Sequence, residues 1–234
     1  MKHYRYYDFV MALFVTVLLL SNLLSSAKII ETGVNLGELP LEFDAGTLVF
    51  PISYIFGDIL TEVYGYKRSR RVIWMGFLAT ALMGIFVFIA GKLPSPAWWQ
   101  DDVGQAAYDA VLGGISGLVM ASLAAYWMGE FSNSYVLAKM KIATKGRWLW
   151  SRTIGSTLVG QGVDTVSFFV IATALGVFPL PSFLSLVVTN YILKVGIEAV
   201  LTPVTLRVVN FLKRVENEDY YDYDTEFNPF RLSV

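Results

Sequence analysis

Six long apolar runs separated by short polar segments pattern this chain, at residues 9–30, 45–66, 72–91, 111–130, 152–176 and 183–206. Crossing ~30 Å of hydrocarbon takes about 20 apolar residues, so each run is expected to span a membrane as a helix. The first run follows Lys2 and Arg5 and nears its end at Ser25, Ser26 and Ala27, in the manner of a signal peptide. It is too long for one and further spans follow, which makes it an uncleaved helix. The expected fold is an all-α integral membrane domain of six transmembrane helices over residues 1–215, followed by an acidic cytoplasmic tail over 216–234. That tail carries Glu216, Glu218, Asp219, Asp222, Asp224 and Glu226 among tyrosines and is expected to be solvated and mobile.

The polar segments alternate in charge. Basic residues precede run one and follow run two (Lys67, Arg68, Arg70, Arg71), run four (Lys139, Lys141, Lys145, Arg147) and run six (Arg207, Lys213, Arg214). The others carry Glu31, Glu38, Glu42 and Asp44, then Asp101, Asp102 and Asp109, then no charge in 177–181. Cationic loops stay on the cytoplasmic side, so both termini are expected inside the cell. Three spans per half would place the halves in opposite orientation, a 3+3 inverted repeat that no internal sequence similarity supports. Trp98 with Trp99, and Trp148 with Trp150, have the placement of outer and inner interfacial anchors.

Composition narrows the class. The chain has 234 residues, 55% hydrophobic and only 16% charged, against roughly 25% charged in a soluble domain. A formal net charge of -1 supplies no basic field for nucleic acid, and none is expected as a partner. With no Cys and one His, His3, expected at the surface, disulfides, thiol catalysis and zinc sites drop out, and no cofactor is expected. The partners expected are a polar small molecule and the lipid bilayer, with homo-oligomerisation left open.

Polar residues inside the apolar runs are the candidate site. A charge at mid-bilayer costs at least ~2.5 to 3.5 kcal/mol, so such groups face a protein interior or a hydrated cavity. Asp58 and Glu62 lie one turn apart on a face that also holds Tyr54. Glu62 is either part of the site or a boundary residue paired with Arg70 or Arg71. Gln161 and Asp164 form a stripe with Thr157 and Phe168, beside the small residues Gly155, Ser156, Gly160 and Gly162. Asp164 lies about 18 Å along the helix axis from Arg152, out of reach of that cation on its own helix. Asn190, Lys194 and Glu198 share a face, with Tyr191 beside them. Lys194 and Glu198 either neutralise each other or line a cavity in which Lys194 balances Asp58 or Asp164. Asn22 is an interhelical hydrogen-bonding candidate, Lys28 a snorkelling one, and Pro203 is expected to end or kink the last helix. Glu130 and Asn133 close the fourth run, where they cap, gate or anchor.

The run Gly57-Asp58-Ile59-Leu60-Thr61-Glu62-Val63-Tyr64-Gly65, followed by Arg70, Arg71, Ile73 and Trp74, resembles the signature of the queuosine-precursor transporter family, part of the vitamin-uptake-transporter group. The resemblance continues through Gly129-Glu130-Phe131-Ser132-Asn133, Trp150-Ser151-Arg152 with Ser156, Gln161-Gly162-Val163-Asp164-Thr165 with Phe168, and Lys194 with Glu198 and Pro203. It implies a bacterial inner-membrane importer of 7-deazaguanine bases such as preQ0 or preQ1, which feed queuosine modification of tRNA. The residues suit such a ligand. A carboxylate, Asp164 or Glu62, takes adjacent ring N–H donors; Gln161, Asn190 or Lys194 addresses an oxo acceptor; Tyr54, Phe168 or Tyr191 stacks on the ring.

Two other readings remain open on sequence alone. One is a substrate-binding subunit of an energy-coupling importer, with an ATPase module as partner, since the chain holds no Gly-x-x-x-x-Gly-Lys-Ser/Thr loop of its own. The other is an intramembrane aspartyl hydrolase, with Asp58 and Asp164 sharing a proton as a dyad.

Overall fold

A computed structural model describes residues 4–36, 39–113 and 115–231, so His3, Lys2 and Glu38 lie outside the described residues. Eight α-helices are described: α1 (Tyr7–Ala27), α2 (Phe50–Tyr64), α3 (Tyr66–Lys92), α4 (Ala97–Asp102), α5 (Gly104–Tyr108), α6 (Ile115–Ala143), α7 (Leu149–Ala174) and α8 (Phe183–Glu216). The six long ones alternate in direction. At one end, Tyr4 ahead of α1 bonds Glu218, and residues of α6, α7 and α8 converge on Glu62 near the end of α2, while the opposite end of α8 bonds a β-hairpin.

That hairpin is absent from the sequence reading. Strands β1 (Ile29–Leu36) and β2 (Leu39–Asp44) pair antiparallel, with Ile29 opposite Asp44 and Glu31 opposite Glu42. The apolar run of residues 9–30 therefore breaks at Ala27, where Lys28 adopts an extended backbone. Ile29, Ile30, Thr32 and Val34 suit a pleated strand better than a helix, since β-branched side chains lose rotamer freedom against a preceding helical turn. From β2 the chain enters a 3-10 turn, Ala45–Leu48, whose start Asp44 caps by accepting from the Thr47 N–H at 3.1 Å.

Helix α2 is central. All of its residues but Ile52 and Phe56 are buried, as fits a helix with apolar side chains around its whole circumference. One residue, Gly65, separates it from α3, at φ +86 and with the Tyr220 ring packed where a Cβ would stand. The basic run Lys67–Arg71 is consequently the first turns of α3 and not a loop. Among the described residues, four helical segments are long and apolar enough to cross a membrane: α1, α3, α7 and Leu180–Glu216. Their outward faces carry Leu78, Phe86, Val166, Ile192 and Val200, all exposed, as a lipid-facing surface requires. Trp98, Trp148 and Trp150 also lie exposed.

Three further expectations are corrected. Helix α6 runs to Ala143, so Glu130 and Asn133 sit inside it and cap nothing. Helix α8 continues through Pro203 to Glu216, so the proline does not end it; beside it Thr202 and Thr205 donate hydroxyl bonds to the Glu198 and Leu201 carbonyls. The acidic tail is docked against the bundle, with Asp222 buried while Asp219, Asp224 and Glu226 stay exposed. Asp222 is 2% exposed and accepts from the Tyr66 N–H, while Arg70 donates to the Glu226 and Asn228 carbonyls and Trp74 Nε1 to the Pro229 carbonyl. Phe227 and Phe230 add ring contacts to Tyr66, Trp74 and Trp127. The unpaired N–H groups at the start of α3 and its arginines supply the donors that hold an otherwise acidic segment.

Candidate functional site

Buried polar side chains form a column along the bundle axis in three tiers. The tier nearest the hairpin surrounds a cavity of about 30 Å³, room for roughly two waters, lined by Asn22, Asp44, Thr47, Phe50, Asp164, Phe168 and Lys194 with the hydroxyls of Ser21, Ser25 and Ser122. Lys194 Nζ of α8 donates to Asp164 Oδ2 of α7 at 2.9 Å and stands 4.3 Å from the Phe50 ring centroid. This pair crosses between helices because neither charge survives alone at that depth. Asp44 accepts from Ser25 at 2.5 Å and from the Thr47 hydroxyl at 2.9 Å; Thr47 also bonds Asn190. Ser122 donates to Asn22 Oδ1 at 2.6 Å, joining α6 to α1.

The middle tier holds three carboxylates. Asn133 Nδ2 donates to Asp58 Oδ1 at 2.8 Å, and Glu198 accepts from Thr157 and, at 3.2 Å, from Gln161 Nε2. Glu130 is fully buried, and neither of its oxygens has a hydrogen-bond partner among the described residues. Helices α6 and α7 approach closely enough here that a Cβ on Gly129 would strike Asp164 and Tyr54, and one on Gly160 would strike Asn133 and Tyr54. Small residues at a helix contact permit this approach, which is the purpose of the small-residue stripe.

The tier nearest the tail is a charge cluster around Glu62. Its Oε1 accepts from Arg152 Nη2 at 2.7 Å and from Lys213 Nζ at 2.6 Å, with Lys141 Nζ 3.5 Å away. Both lysines also reach Asp219 of the tail, at 2.6 Å and 2.8 Å. Glu62 thus pairs with cations from α6, α7 and α8, not with Arg70 or Arg71. The sequence could not show this, because Arg152 and Lys213 meet Glu62 only through helix packing.

Of the residues singled out in the sequence, Asn22, Asp164, Phe168 and Lys194 line the cavity. Asn190 touches its rim through Thr47, whereas Tyr54, Asp58, Gln161 and Glu198 lie in the middle tier, and Glu62 and Arg152 at the far end. Lys194 is bonded to Asp164 and Glu198 to Thr157 and Gln161, so the two do not neutralise each other. Asp58 and Asp164 bond different partners and form no dyad. Phe50 shares the helical face of Tyr54 and Asp58 that the sequence marks, but sequence reasoning missed Asp44 and Thr47 as site residues; the signal available was an Asp-x-x-Thr turn in front of a proline-started helix, which marks an N-cap and gives no hint of a cavity.

Residues 44–208 match the family described as "Putative vitamin uptake transporter". The chain belongs to this vitamin uptake transporter family. It is therefore a multi-pass membrane transporter and not an enzyme, which removes the aspartyl hydrolase reading together with its missing dyad. A "Probable queuosine precursor transporter" of Bacillus subtilis (strain 168) is 30% identical over 159 residues, 68% of this chain and 68% of that protein. A "Queuosine precursor transporter" of Escherichia coli (strain K12) is 25% identical over 127 residues, 54% of this chain and 53% of that protein. No solved structure matches. The stretch that carries the family covers the hairpin-end cavity except α1, and all three tiers except Lys213 of α8 and the tail, which lie after residue 208.

Proposed function

We propose that this vitamin uptake transporter imports queuosine precursors, 7-deazaguanine bases such as preQ0 and preQ1, across the cell inner membrane. The observation that carries this reading is the Asp164–Lys194 pair at a cavity walled by two phenylalanines. A guanine-like base presents adjacent N–H donors and an oxo acceptor on one edge. Asp164 accepts the donors, Lys194 donates to the oxo group, and Phe50 or Phe168 stacks on the ring. The residual ion pair keeps both groups satisfied before the base arrives, and exchanging one paired partner for another avoids exposing a bare charge.

In this reading all six long helices span the membrane, with both termini cytoplasmic and the hairpin outside. The cationic ends of α6 and α8 and the start of α3 then fall on the tail side, as the positive-inside rule requires. Access alternates. A cavity that holds about two waters admits a base only after the hairpin and the ends of α1 and α8 part, while the Glu62 cluster seals the opposite side.

Transport is tested by feeding labelled precursor to cells that cannot make it and measuring queuosine in tRNA. Wild type restores the modification; Asp164→Ala and Lys194→Ala abolish it at equal membrane abundance; Asp58→Ala, outside the cavity, lowers it less. Undiminished modification with both cavity variants overturns the site.

A further inference from the structure

The middle tier contains an uncompensated set of acids. Asp58, Glu130 and Glu198 come from three helices, α2, α6 and α8, and the cations above and below them are already committed, Lys194 to Asp164 and Arg152, Lys141 and Lys213 to Glu62 and Asp219. Asp58 and Glu198 at least accept from neutral donors. Glu130 accepts from none of the described residues, and Asn133 Oδ1 and Gln161 Oε1 beside it are equally without a donor. These four orphaned atoms are acceptor oxygens. Buried polar groups in native proteins are almost always paired, so four acceptors without donors mark a place where hydrogen or a cation belongs.

The geometry discriminates between the two. Among the described residues no three Asp, Glu, His or Cys side chains converge to hold a metal ion. A proton needs a single carboxyl group, and adding one to Glu130 cancels a buried charge and converts an orphaned acceptor into a donor. The titratable groups facing Glu130 are Asp58 and Tyr54 from α2, Asp164 from α7, Glu198 from α8 and Tyr126 on its own helix; Lys194 is held by Asp164. None of them brings a free positive charge. Room for the carboxyl group is made by α2, where a Cβ on Gly57 would overlap Glu130 Oε1, next in sequence to Asp58.

Glu130 is also mechanically tied to the cavity. Its neighbour Gly129 packs directly against Asp164 and Tyr54, so a shift of Asp164 as it exchanges Lys194 for a base is passed to α6 and its carboxyl group. We propose that Glu130, flanked by Asp58 and Glu198, is the proton site of this transporter: its carboxyl group is protonated from the outer side before the base binds, and it returns to carboxylate when that proton leaves to the cytoplasm with the base. The coupling half of this proposal rests on the importer reading above; the proton site itself does not.

Two measurements on the full-length protein in phospholipid bilayers separate them. Infrared spectra at neutral pH should contain the C=O band of a protonated carboxyl group, which the isosteric Glu130→Gln variant loses and Asp164→Asn keeps. A wild-type spectrum without that band, or a band untouched by Glu130→Gln, overturns the proton site whatever the substrate. In proteoliposomes, an inward acid gradient of one pH unit should raise accumulation of labelled 7-deazaguanine base up to about tenfold for one proton per base, and Glu130→Gln should hold the ratio near one while still exchanging base for base. Gradient-independent accumulation by wild type overturns the coupling, and a sodium gradient driving uptake in its place overturns the choice of proton. A protein that shows the Glu130-dependent band yet moves no deazaguanine base keeps its proton site and overturns the substrate reading instead.

Discussion

Single side chains in this protein act through partners brought from other helices, and the consequences of losing one depend on what is left behind. Replacing Lys194 by Met strands the Asp164 carboxylate, and breaking a buried pair from one side costs about 3–5 kcal/mol, so thermal unfolding in detergent should start well below wild type. Adding Asp164→Asn to that variant removes the stranded charge. Stability should largely return while precursor uptake stays at least tenfold down, which separates a structural pair from a binding pair; recovery of uptake would deny the pair its role in recognition. Glu62→Gln is expected to destabilise more than Asp58→Asn, because it strips Arg152 of its anionic partner and leaves Lys141 and Lys213 only Asp219, whereas Asp58 has a neutral amide as its bonded partner. Matched melting curves of the two variants decide this.

At the scale of elements, the C-terminal segment behaves as a strap across the ends of α2, α3 and α6, and its two key carboxylates have opposite electrostatics. Burial works to raise the Asp219 carboxyl, but hydrogen bonds from Lys141 and Lys213 and their charges hold it below its ordinary value. A lowered carboxyl contributes stability above its unfolded value and loses it as pH falls through the folded one, so strap docking through Asp219 is complete at neutral pH and fades only in strong acid. Asp222 is raised, chiefly by burial, with bonds from Thr225 and the Tyr66 N–H only partly offsetting it. Its contribution runs the other way, greatest where it is protonated and weaker as pH rises through the raised value. Asp219→Asn should therefore increase hydrogen exchange of residues 218–230 at neutral pH, whereas Asp222→Asn, which keeps an acceptor for Tyr66 and sheds the buried charge, should leave exchange equal or slower. Unchanged exchange in both would show that the segment is held by its aromatic contacts with Tyr66 and Trp127 alone, and equal loosening by both would deny the two carboxylates their opposite electrostatics.

At the scale of the whole molecule, the alternating helices and the hairpin make a definite topological prediction. The chain has no Cys, so single cysteines report position without a background. Cysteine at Thr32, exposed on β1, should react with a membrane-impermeant maleimide in intact cells; cysteine at Lys145, exposed between α6 and α7, or at Tyr223 should react only after the membrane is opened. Labelling of Lys145→Cys from outside would invert every loop and place the cavity on the cytoplasmic side.

How much of this was legible in the sequence follows from range. Apolar runs of near-spanning length, the charge alternation between them and the Gly57–Gly65 signature are local or near-local, and they sufficed for a helical membrane transporter of this family. They also marked Asp164, Lys194, Phe168 and Asn22, because a polar side chain inside an apolar helix stands out one residue at a time. Pairing did not follow, since Asp164 meets Lys194 across 30 positions and Glu62 meets Lys213 across 151, separations that no helical period encodes. Helix lengths were misjudged where amphipathic turns extend past the apolar runs, as in α6 and α8, and the hairpin was hidden because a β-branched stretch after an apolar helix reads as more of the same. The sequence by itself thus determined that the buried charges exist and must be answered; only the tertiary structure decided which partner answers each, and that Glu130 is left with none among the described residues, because those partners converge only when five long helices close around α2.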